Sequence, residues 1–213
     1  MEATPTRLAE ARSEIYQLLS ALFCEPEEEM LGDKQIFRKL KEDFEIVQPG
    51  HGHLVDELAE KFSAYSPTEL LVDYTKIFLG PFKAIAFPYS SMYFGEGALV
   101  SSMTAWVEQY YQNCGLSFDY SIKDLPDHIV VELEFMYQLA FREWEARLEG
   151  NNLETERYRS LQREFNSVHL SKWGVKMGDT IIESGKNEYY SALSAILIAF
   201  LKHEKMALAI NQN

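Results

Sequence analysis

Cysteine is almost missing from this sequence: Cys24 and Cys114 stand far apart, with no CxxC. Two isolated thiols argue against a disulfide framework and fit a reducing compartment, where cysteine acts as a small buried hydrophobe. Basic residues are also scarce. Twenty lysines and arginines face 33 aspartates and glutamates, for a net charge of −13. That balance argues against a nucleic-acid partner, because phosphate affinity comes from cations displacing counterions. It suits a basic partner drawn in by the summed field, and it equally suits plain solubility. Long apolar runs are lacking. The most apolar stretch, Ala192 to Leu201, is too short to span a bilayer, so no stable membrane insertion is expected. Met1 to Leu8 holds no basic region followed by an apolar one, which predicts no secretory leader and a cytoplasmic location.

Catalytic signatures are missing too. There is no HExxH, no GxxxxGK phosphate loop, no GxSxG elbow, and no Glu-x-x-His at any of the five histidines. Gly95-Glu96-Gly97 lacks the third glycine of a dinucleotide fingerprint and reads as a loop joint. His51-Gly52-His53 has no cysteine or carboxylate cluster beside it and reads as a solvated pair. No metal or cofactor is assigned, and a binding protein is expected rather than an enzyme.

What is present is helical spacing. Leu8, Ala11, Ile15, Leu18, Leu19 and Leu22 recur at intervals of three and four, behind Thr4 as N-cap and Pro5 in the first turn. Ser66-Pro67-Thr68-Glu69 is a capping box ahead of Leu70, Tyr74, Ile77 and Phe78, and Gly80-Pro81 stops that helix. Pro126 opens the longest expected helix, through Ile129, Leu133, Met136, Ala140 and Trp144. Further helices carry Tyr158 to Val168, then a short one with Met177 and Ile181, then Tyr190 to Leu201. No stretch alternates at period two. The pattern predicts an all-α, helical-bundle-like domain over residues 1–213. The aromatic, Pro- and Gly-rich connection 81–97 would be the hinge if two helical subdomains form, and a monomer or homodimer is expected.

Asp124-Leu125-Pro126-Asp127-His128 puts two carboxylates and an imidazole at the start of that long helix. Asp124 and Asp127 suit the orphan N–H groups of its first turn, so cap and ligand contact are both open readings. A cation is unfavourable there, which predicts a neutral His128.

This segment, with Glu132, Leu133 and Met136 behind it, resembles the signature of the TorD/DmsD/NarJ redox enzyme maturation chaperones. Tyr74, Phe78, Leu79, Gly80 and Pro81, followed by Pro88, Ser91 and Tyr93, resemble that family's Leu-Gly-Pro turn and its Pro-x-x-Ser-x-Tyr loop. Phe165, Leu170, Trp173 and Tyr190 extend the likeness over nearly the whole chain. One departure is local: Leu125 stands where many members have proline, Pro126 follows one residue later, and Asp124 replaces a glutamate. The resemblance implies a cytoplasmic chaperone for the precursor of a molybdenum oxidoreductase. It would bind the precursor's twin-arginine leader and support cofactor loading and assembly before export. The alternative is a helical scaffold that recognises a folded region of a redox-enzyme subunit, independently of the leader. The residues expected at the peptide site are Asp124, Pro126, Asp127, His128 and Glu132, with Tyr89, Ser91 and Tyr93 from the loop.

Overall fold

The computed structural model describes residues 3–26, 35–80, 83–95, 101–118 and 124–209. It is all-α. Its elements are α1 (Pro5–Leu22), α2 (Gln35–Val47), α3 (Gly52–Ser63), α4 (Pro67–Tyr74), α5 (Ser102–Asn113), α6 (Ile129–Leu148), α7 (Asn152–Phe165), α8 (Ser171–Ser184) and α9 (Glu188–Ala209). A π-helical turn, Thr75–Leu79, prolongs α4, another, Asn166–Leu170, joins α7 to α8, and a single 3₁₀ turn covers Ser90–Met92.

Local chemistry sets several helix starts. Thr4 accepts the Arg7 N–H, and Ser66 and Glu69 form the reciprocal capping box. At the end of the π-turn, Gly80 takes φ +53° while its N–H donates to the Thr75 carbonyl at 2.6 Å. A Cβ there would run into the backbone of Lys83 and Ala84, so glycine is required where the long loop leaves.

α9 is the hub. It buries Tyr189, Leu193, Ile196, Ile198, Phe200 and Leu201, which point in most directions around its axis, as expected of a helix enclosed by others. α3, α7 and α8 pack on it, α6 pairs with α1, and α2 bridges α1 and α3. Tyr16 on α1 meets Phe200 edge-on at 4.7 Å and carries the core across to that pair. No helix among the described residues is long and apolar enough to cross a membrane.

Three boundaries differ from the sequence reading. α6 begins at Ile129 with His128 as its N-cap, not at Pro126. α9, with 22 residues, is longer than α6, with 20. The segments around Phe165 and Met177 are not separate helices, because helical backbone continues from Asn152 to Ser184 through the π-turn. Nothing in 166–173 breaks a helix, and Gly174 is tolerated because it faces α9 closely. The ends of the 81–97 connection, at Pro81, Phe82, Glu96 and Gly97, lie outside the described residues.

Candidate functional site

The long loop and the start of α6 meet in one antiparallel bridge between Tyr89 and His128. Ser90 N–H donates to the Asp127 carbonyl at 2.9 Å, and Ile129 N–H donates to the Pro88 carbonyl at 2.8 Å. The bridge sets the Tyr89 ring edge-on to the imidazole, with centroids 4.9 Å apart. Sequence reasoning expected these residues to be neighbours; their register comes from the two backbone bonds.

Asp127 is 0% exposed, and its Oδ2 accepts the Ser91 N–H at 2.9 Å. It therefore does not cap α6. It clasps the loop from below. Its Oδ1 and the hydroxyls of Ser90 and Ser91 are also buried, with no hydrogen-bond partner among the described residues. The cap is His128, whose Nδ1 accepts the Val130 N–H at 3.2 Å. Burial lowers its pKa, against the opposing pull of Asp124 and Asp127. The ring is thus neutral near pH 7, with its proton on Nε2. Pro126 is buried, and its carbonyl accepts the Tyr111 hydroxyl at 2.8 Å, which fixes the turn into the helix.

Asp124 differs from Asp127. It is only half-buried, and its Oδ1 accepts the Tyr89 hydroxyl at 3.3 Å. Burial, followed by the charge of Asp124, pushes the Tyr89 phenol up to about 12, so it remains a donor. Among the expected site residues, only Asp124, Tyr89 and Tyr93 are not fully buried.

Glu132 requires correction. It does not extend an acidic face, because it is 0% exposed. Oε1 lies 2.8 Å from His169 Nε2, and Oε2 accepts the Trp173 indole N–H at 2.8 Å. Burial pushes its pKa up, and His169 and Trp173 pull it partly back. The cause is periodicity: Glu132 shares the buried stripe of Ile129, Leu133 and Met136. Tyr93 is likewise a packing residue, half-buried, with its ring 5.7 Å from that of Trp173. Next to it, Phe94 stacks on His169 at 5.1 Å and 9°. The loop is thereby held against the π-turn that presents His169. Sequence reasoning missed His169, although Phe165, His169 and Trp173 repeat at intervals of four, the spacing of one helix face.

The site can accept hydrogen bonds and positive charge at Asp124, and the remaining N–H of its imidazole belongs to His128, which is only 4% exposed. Asp127 gives one carboxylate oxygen to a backbone N–H, and the imidazole of His128 is engaged at a helix start. Fold and site together define an all-helical protein whose long loop is pinned to the start of α6. The chain belongs to the nitrate reductase delta subunit family, that of the NarJ and TorD chaperones, whose profile matches residues 47–177. It is 30% identical over 209 residues to the chaperone protein TorD of Vibrio atlanticus, covering 94% of this chain and 95% of that one. It is 28% identical over 175 residues to a perchlorate reductase assembly chaperone protein of Dechloromonas aromatica, covering 76% and 74%. The fold is shared with a proposed redox enzyme maturation protein of Archaeoglobus fulgidus. There the TM-score is 0.57 at 21% identity, over 95% of this chain and 96% of that one.

Proposed function

We propose that this chain is a cytoplasmic chaperone that binds the twin-arginine leader of a molybdenum oxidoreductase precursor and holds it while the cofactor is loaded. The observation that carries the reading is Asp124, a half-buried carboxylate held by the Tyr89 hydroxyl three residues ahead of the buried Asp127. A carboxylate takes a guanidinium bidentately, and an arginine pair is what such a leader offers. In this reading Asp127, Ser91 and Pro126 shape the site from beneath, and His128 faces the peptide beside Asp124. Family membership supports the chaperone role, and the net charge of −13 supports a basic ligand.

The test is calorimetric titration of the full chain with a synthetic twin-arginine leader. Asp124→Ala is expected to weaken binding about tenfold or more, the scale of a lost charge-assisted pair, with an unchanged melting temperature. A leader with both arginines replaced by lysine is expected to bind more weakly than the original, since lysine cannot pair bidentately. Wild-type affinity in folded Asp124→Ala would sink the assignment. Undiminished capture of a client whose leader has been removed would favour the scaffold alternative instead.

A further inference from the structure

A second concentration of charge lies where α1, α6, α7 and α9 meet. Arg12 projects from α1 into the core, with only 7% of its side chain exposed. Its Nε and Nη2 bond Glu204 on α9, its Nη1 lies 2.8 Å from Glu143 on α6, and its Nη2 also reaches Gln162 on α7. Tyr16 donates to Glu204 at 3.1 Å. Two more guanidiniums converge on the same Glu143: Arg147 at 2.8 Å and Arg159 at 3.4 Å, both on Oε1.

Among the described residues, three guanidiniums therefore share two carboxylates in a nearly dry place. Arg147 and Arg159 are only 15% and 12% exposed, so solvent does little to neutralise the surplus. Glu156 reaches Arg159 at just 4.0 Å and is 64% exposed, which makes it a weak counter-charge. His203 at the rim adds no cation, since burial lowers its pKa. A pocket of about 240 Å³ opens beside this cluster. Arg12, Arg147 and Arg159 line it with Glu143, and Leu8, Val47 and Leu208 add apolar surface. That volume lies just below the roughly 300 Å³ at which small-molecule sites begin, and it exceeds what a bare ion needs. A surplus of fork-shaped donors in one pocket with apolar side chains is chemistry for an oxyanion on a short apolar body. In a chain of net charge −13, such a spot is the opposite of the general surface.

We propose that this pocket binds a small molecule bearing a phosphate or carboxylate group on a short apolar body, independently of the leader site. The probes are n-butyl phosphate and pentanoate, titrated into the full chain at low ionic strength by calorimetry and thermal shift. n-Butanol serves as the uncharged control. At least one of the two anions should bind saturably and raise the melting temperature, while n-butanol should do neither. Arg147→Gln with Arg159→Gln leaves Glu143 paired to Arg12 and Gln162, and it should weaken binding at least tenfold. Ala207→Trp fills the pocket from α9 without altering a charge, should also abolish binding, and decides the matter if the double variant does not fold. Saturable binding of neither anion, or equal binding by wild type and folded Ala207→Trp, overturns the proposal.

Discussion

Asp124 and Asp127 are three residues apart and do different work. Asp127 is sealed in and accepts the Ser91 N–H, so Asp127→Ala strands a buried donor. The expected loss is about 1–3 kcal/mol in urea unfolding, whereas Asp124→Ala should cost little. Breaking the Glu132–His169–Trp173 set should cost more. Glu132→Ala leaves an indole N–H and an imidazole unpartnered in the core, for an expected loss on the order of 3 kcal/mol. Glu143 supplies a pH signature. Against the opposing effect of burial, its three arginine neighbours hold its carboxyl at about 2, below the usual 4.5 of a glutamate. A carboxylate depressed in the folded state contributes stability that is complete above about 4.5 and is lost as pH falls towards 2. Chemical denaturation across that window should therefore show a slope that flattens in Glu143→Gln. His128 is read in one direction only. Because Nδ1 accepts the Val130 N–H, the neutral ring can only donate to a ligand, so it suits a peptide carbonyl rather than a guanidinium. The neutrality of His128 was legible from its place at a helix start. The burial of Glu132 was legible from its spacing and was overlooked because its charge suggested a surface.

Helix starts governed by their own residues were readable in the sequence, as Thr4-Pro5 and the Ser66–Glu69 box illustrate. The start of α6 was not, because its position depends on a bridge to Tyr89, 39 positions earlier in the chain. The π-turn at Asn166–Leu170 was also hidden, since one extra residue in a helical turn leaves the flanking apolar rows almost intact. The α8–α9 contact shows how closely two elements can approach. A Cβ on Gly174 would come 2.9 Å from the tip of Leu201, a side chain able to swing away. One on Gly178 would meet Ile198 at two atoms, 2.9 and 3.0 Å away, and the Ser194 carbonyl at 3.4 Å. Gly174→Ala should thus be near neutral, helped by a gain of up to about 1 kcal/mol in helix propensity. Gly178→Ala should lose roughly 1–3 kcal/mol to overpacking. Thermal melts of the two variants side by side would test the contrast.

At the scale of the molecule, a net charge of −13 makes its field the first thing a basic ligand meets. Association with a twin-arginine leader should slow steeply with added salt, while dissociation changes less; stopped-flow traces at several ionic strengths would separate the two. The all-α class was legible because nearly every segment repeats at three and four. The arrangement around α9 was not, because it rests on pairs such as Arg12 and Glu204, 192 positions apart. That centre has a consequence for how the chain is made. α9 follows the other described helices in order of synthesis, yet α3, α7 and α8 all close upon it. On the ribosome those helices lack this shared partner until α9 emerges, and Arg12 has no Glu204. The apolar faces that α3, α7 and α8 turn to α9 stay uncovered until then, so the last helix made is the one that closes the core.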